Sequence, residues 1–150
     1  MTAPGGADID ISTDRARMDV DAICGFLARS YWAEGIPREV VALAIENSLC
    51  FGAFDGARQI GFTRVVTDYA TFAYVADVYV LEEYRGRGIS KMLMAAMRAH
   101  AGLQGLRRWH LATRDAHGLY RQFGFSALAD PGRHMELVDA EVYLRTRAAK

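Results

Sequence analysis

The chain has 150 residues, 51% of them hydrophobic, enough apolar side chain for one proper core. Lysine plus arginine equals aspartate plus glutamate at 18 each, a balance that leaves no electrostatic footprint for nucleic acid or an anionic membrane surface. No apolar run approaches the ~20 residues needed to cross a bilayer. The opening MTAPGGADID has neither the basic region nor the apolar stretch of a signal peptide, so the expected compartment is cytoplasmic.

In chain order, DIDIST alternates Ile9 and Ile11 with polar residues and predicts a short strand. DVDAICGFLARSYW places Val20, Ile23, Phe26, Leu27 and Tyr31 at helical spacing, with Asp19 as N-cap. IPREVVALAIENSL predicts a second helix with Pro37 near its first turn. The period then changes to two: LCFGAFDGARQIGFTRVVTD is two strands joined through Asp55-Gly56, a strong hairpin signal, and TFAYVADVYVL a third.

Beyond them, ISKMLMAAMRAHAGL is an amphipathic helix, RRWHLAT a strand, DAHGLYRQF a short helix and GFSALAD another strand. HMELV can form a final strand, with AEVYLRTRAAK a C-terminal helix or tail. The pattern is that of one α/β domain spanning 1–150, with antiparallel hairpins in the middle and a βαβ-like unit after them. Cys24 and Cys50 sit in apolar surroundings and read as buried thiols. Together with four scattered histidines they make no metal-ligand spacing, and no metal is expected.

The stretch EEYRGRGIS, between the third β run and the long helix, carries Gly86 and Gly88 at the mouth of that helix. Glycine there costs backbone entropy, so the geometry should require it. A glycine-rich turn opening a helix points several N–H groups one way, and an anion such as a pyrophosphate docks on them. Arg85 and Arg87 would add charge-assisted donors. An ordinary tight turn with solvated arginines is the simpler alternative. The nucleotide P-loop is excluded because its Gly-Lys-Ser/Thr ending is absent, and the dinucleotide fingerprint because Lys91 occupies its third glycine position.

The string VYVLEEYRGRGIS resembles the acetyl-CoA-binding motif of the GNAT superfamily of N-acetyltransferases, Q/R-x-x-G-x-G/A. Arg85, Gly86, Arg87, Gly88, Ile89 and Ser90 fill it. Ser90 stands where the family has Gly or Ala, and Glu82 where it commonly has Pro. TRDAHGLYRQFGF is similar to the family's second characteristic segment, ending Tyr-x-x-Phe/Leu-Gly-Phe. The likeness covers roughly residues 8 to 138. It implies a mixed, mostly antiparallel α/β (α+β) sheet of six to seven strands flanked by about four helices.

It also implies acetyl transfer from acetyl-CoA to a primary amine by direct attack in a ternary complex. By resemblance, the backbone of Val78 and Val80 meets the acetyl and pantetheine groups. Tyr120 matches the family's general acid, which protonates the departing thiolate; its alternative is a core aromatic beside Phe123 and Phe125. Asp77, among apolar residues in YVADVYV, is either the base that takes the amine's proton or a group that binds the substrate. Tyr31, Trp32, Phe72 and Tyr74 either form an aromatic acceptor pocket or belong to the core. Asp115 is placed to N-cap the helix that follows it, and Thr113 replaces the Asn of many relatives.

The expected acceptor is a small amine or amino acid, because nucleic acid is disfavoured by charge and the domain is compact; a protein N-terminus or a lysine side chain is left open as the alternative. A homodimer is left open, since the superfamily often forms dimers. Two readings compete with the enzyme: a non-catalytic acyl-CoA-binding or sensing module on the same fold, and an interaction domain whose glycine turn binds nothing. Retention of the glycine loop, Tyr120 and Asp77 together favours catalysis.

Overall fold

The computed structural model describes residues 8–148. Five strands, β1 (Ile9–Ser12), β2 (Leu49–Asp55), β3 (Arg58–Thr67), β4 (Phe72–Val80) and β5 (Arg108–His110), form one sheet in the order β1-β2-β3-β4-β5. The first four pair antiparallel, and β5 lies parallel to β4. The Asp55-Gly56 signal holds: Asp55 faces Arg58 across a two-residue turn, with Gly56 at φ 60°. The helices are α1 (Val20–Leu27), α2 (Arg38–Glu46), α3 (Ile89–Ala99), α4 (His117–Arg121) and α5 (Val142–Ala148).

The sheet is covered on both faces. On one, α3 buries Ile89, Leu93, Met94 and Met97 at helical spacing against Ile60, Val65, Ala73 and Val75. Each such side chain removed from water contributes roughly 1.5–3 kcal/mol before chain entropy is charged against it. On the other, α1 and α2 pack Ile23, Leu27, Val41 and Ile45 over Phe54, Phe62 and Tyr79. Asp19 caps α1 as expected, its carboxylate accepting from the Ala22 N–H at 3.0 Å.

Several expectations change. Helix α1 stops at Leu27 rather than running to Trp32. There the Ser30 hydroxyl donates to the Leu27 carbonyl at 2.6 Å and accepts from the Ala33 N–H at 3.1 Å, which turns the chain. The strand read through Thr113 is only Arg108–His110. GFSALAD and HMELV form no strand, because neither finds a neighbouring strand to pair with among the described residues. Among the described residues the sheet therefore has five strands, not six or seven, with five α-helices around it. The C-terminal segment read as helix or tail is helical at 142–148; residues 1–7 and 149–150 of the sequence expectations lie outside the described residues.

Buried acids predict how this fold responds to alkali. Burial pushes the Cys50 thiol up to about 11 and the Tyr120 phenol up to about 12, and it raises Tyr79 as well. The unfolded chain releases these protons near their ordinary values while the native state keeps them. Stability should be flat below about pH 8.5 and should fall by roughly 4–5 kcal/mol by pH 11. Urea unfolding across that range measures it, and a flat profile to pH 11 would refute it.

Candidate active site

The parallel pairing of β4 with β5 spans only Phe72–Tyr74 against Arg108–His110. Beyond Tyr74, β4 runs on to Val80 with no strand on that side, so the two strands open a cleft. Within the opening, the register of β3 against β4 shifts between Phe62 and Arg64, giving β4 a bulge at Asp77 and Val78. Asp77 adopts φ 57°, a conformation that is uncommon without glycine and collects at functional positions.

A cavity of about 610 Å3 lies at this opening. Of the residues the sequence singled out, it brings together Tyr31, Trp32, Tyr74, Asp77, Val78 and Tyr120. Phe72 does not line it; its ring stacks on His110 at 6.4 Å between centroids, near the start of β4. Much of the remaining wall is aliphatic, from Ile23, Leu27, Ile36 and Val40, and α5 adds Tyr143.

Asp77 is committed on both oxygens. Oδ1 accepts from Trp32 Nε1 at 2.9 Å, and Oδ2 accepts from Arg64 Nε at 2.8 Å. Arg64 also donates to the Ser48 hydroxyl at 3.2 Å. The pair is largely shielded from water, with side chains 21% and 11% exposed. Across the cavity, Tyr31 is edge-on to Trp32 at 5.1 Å. Its hydroxyl accepts from the Arg114 N–H at 3.3 Å, and the Arg114 guanidinium lies 3.8 Å from its ring centroid. The loop between α1 and α2 is thus tied to β4 by Trp32 and to the 112–116 loop by Tyr31.

Tyr120 projects from α4 and is 8% exposed, edge-on to Phe125 at 6.0 Å. Its hydroxyl has no hydrogen-bond partner among the described residues. Burial is the main reason its phenol is pushed up to about 12, with Tyr31 and Asp115 adding to it. The helix is not capped by Asp115. Thr113 does the local work, its hydroxyl accepting from the Ala116 N–H at 3.1 Å.

The glycine loop stands at the far end of β4, outside the cavity lining. Gly86 and Gly88 have φ 78° and 76°, and a Cβ on either would meet nothing within 4 Å. No side chain caps α3. The backbone N–H groups from Gly86 to Lys91 have no acceptor among the described residues, so they form an open row of donors at a helix N-terminus. The arginines brace the loop. Arg85 Nε donates to the Val80 carbonyl at 3.1 Å, and Arg87 donates to the Glu83 carbonyl at 3.3 Å while covering the Tyr84 ring. Val80 thereby has its carbonyl in use, whereas Val78 borders the cavity.

Sequence reasoning missed Arg64, Arg114 and Tyr143. Arg64 left one usable signal: a lone basic residue inside the apolar run QIGFTRVV, facing a strand whose lone acid is Asp77.

The acetyltransferase (GNAT) domain family matches residues 46–127. A Gibberella zeae protein with a provisional acetyltransferase name is 33% identical over 134 residues, covering 75% of this chain and 76% of its own. A GNAT-family protein of Xanthomonas campestris pv. campestris has a crystal structure with TM-score 0.89 at 50% identity, covering 91% of this chain and 96% of its own. A Clostridium acetobutylicum protein solved with acetyl-CoA shares the fold at TM-score 0.63 and 16% identity, covering 87% of this chain and 95% of its own. With the split β4–β5 edge, the glycine-opened helix and these likenesses in agreement, the chain belongs to the GNAT acetyltransferase family and is an acyltransferase.

Proposed function

We propose that the chain works as a single acetyl-CoA-dependent domain that acetylates the primary amine of a small molecule or amino acid by direct attack. GNAT enzymes use acetyl-CoA, and a fold neighbour was solved with it. The observation that carries the reading is the open row of amides from Gly86 to Lys91, joined by the free edge of β4 to a cavity holding Tyr120. The residues fit the coenzyme: the amides and helix dipole suit a pyrophosphate, and left-handed glycines leave room above them.

Acetyl-CoA bound there supplies the activated thioester. The backbone N–H groups of Gly86, Gly88 and their neighbours hold the pyrophosphate. The bulge at Val78 turns main-chain polar groups toward the cleft, where a preorganised N–H can stabilise negative charge on a carbonyl oxygen. Tyr120 keeps a proton on its hydroxyl for the departing sulfur. The aromatic and aliphatic wall suits an amine with an apolar body, and the cavity mouth lets the amine's proton leave to solvent.

Asp77 acts in this scheme as a positioning residue, holding Trp32 against the acceptor space with Arg64 as counter-ion. Asp77→Asn should raise the acceptor KM about tenfold and change kcat little, because ground-state and transition-state contacts weaken together. A base at Asp77 would instead show as a kcat loss with the KM unchanged. Thiol release from acetyl-CoA, measured against a panel of alkyl amines, arylalkyl amines, amino acids and short peptides, tests the function. Binding of acetyl-CoA without turnover of any amine would favour the sensing module.

A further inference from the structure

The charged side chains bordering the cavity are Arg64, Asp77, Arg114 and Asp115. The first two neutralise each other, and the second oxygen of Asp77 is taken by Trp32. Arg114 and Asp115 are exposed at the cavity, and they form no ion pair with each other or with any other described residue. Asp115 has no capping duty either, since Thr113 accepts the N–H at the start of α4. Arg114 is held in place by Tyr31: its guanidinium lies 3.8 Å from the ring centroid and its backbone N–H donates to the hydroxyl. A guanidinium stacked on a ring keeps its N–H edge free for a carboxylate.

Deeper in, Ile23, Leu27, Ile36 and Val40 make an aliphatic wall. A charge pressed against that wall would lose its water and gain no partner. An acceptor therefore keeps its charges at residues 114 and 115 and turns an apolar body inward. A plain alkyl amine would leave Arg114 idle, whereas a zwitterion with an apolar side chain meets both free charges and the wall at once.

We propose that the acceptor is an α-amino acid with an apolar side chain, of the size of leucine or phenylalanine, whose carboxylate binds Arg114 and whose ammonium docks on Asp115. This rests on the proposed acetyl transfer and names its acceptor class. Asp115 stands close enough to Tyr120 to act on its phenol, so a nitrogen held there lies on the side of the departing sulfur. One proton leaves the ammonium to solvent before attack. The nitrogen then bonds to the acetyl carbon as the carbon–sulfur bond breaks, and the second proton it sheds replaces the one Tyr120 gives to sulfur.

Thiol release with L-leucine and L-leucinamide tests this on the full chain, because the amide keeps the body and loses the carboxylate. The wild type should favour leucine at least tenfold in kcat/KM, through KM, although the amide has the more readily deprotonated amine. Arg114→Gln should lower leucine about tenfold and leave leucinamide within twofold, the lower end for a charge-assisted contact because the site is exposed. Calorimetric titration of N-acetyl-L-leucine and N-acetyl-L-leucinamide into the coenzyme A-saturated protein should show the same preference with no turnover involved. That preference without any thiol release would overturn the acetyl transfer and keep the carboxylate site. Equal use of leucine and leucinamide would overturn the proposal. So would an Arg114→Gln variant that loses both alike, which would make Arg114 only a strut for Tyr31. The wild-type preference decides the matter by itself should the variant fail to fold.

Discussion

A Gly88→Val variant should lose acetyl-CoA binding by at least 100-fold while the sheet and both cores stay folded. Gly88 sits at φ 76°, where a β-branched residue is strained by about 1–2 kcal/mol. A Cβ there meets no protein atom within 4 Å, so the damage does not spread into the core. It falls on the open side of the loop, over the amides from Gly86 to Lys91. A bound pyrophosphate draws on several of those donors, and hydrogen bonds to a charged group are worth ~1.5–3 kcal/mol each. Losing two of them passes the 100-fold mark. Calorimetric titration with acetyl-CoA and coenzyme A reads the loss, and thermal unfolding separates it from misfolding. A folded Gly88→Val protein that binds coenzyme A like the wild type would remove the loop from the site.

That prediction could be framed from the sequence because the loop is local. Two glycines, their spacing and the helix after them lie within a few residues, and left-handed backbone is written in residue type. The hairpins were legible for the same reason: Asp55-Gly56 and the period-two runs on either side fix strand, turn and register together. What failed was whatever depends on a distant partner. HMELV has the right alternation for a strand, yet alternation selects a face and supplies no neighbour to bond. Asp77 looked like a lone acid among apolar residues. Its two partners, Arg64 and Trp32, are 13 and 45 residues away, and the pairing with Arg64 exists only because a bulge shifts the β3–β4 register. Phe72 and Tyr74 share a face of one strand by sequence, but the cavity begins only where β5 ends, so only Tyr74 reaches it.

Tyr120→Phe should lower kcat by roughly 100- to 1,000-fold, leaving the KM for acetyl-CoA and the melting temperature nearly unchanged. The substitution removes one oxygen that has no partner among the described residues, so no buried group is orphaned and the ring keeps its contact with Phe125. The magnitude follows from the proton's energetics. Burial holds the phenol at about 12, whereas a thiol has an ordinary value near ~8.5. Complete transfer of the proton to sulfur is therefore uphill by roughly 5 kcal/mol. The hydroxyl does most of its work as a hydrogen-bond donor to charge growing on the sulfur, which places the effect in the lower half of the usual general-acid range. The same raised value has a sign. The donor form persists as pH rises, so Tyr120 imposes no fall in kcat below about pH 11. An alkaline limb centred near pH 8 to 9 would belong to another group. If Tyr120→Phe turned over at the wild-type rate, the residue would be a core aromatic and nothing more.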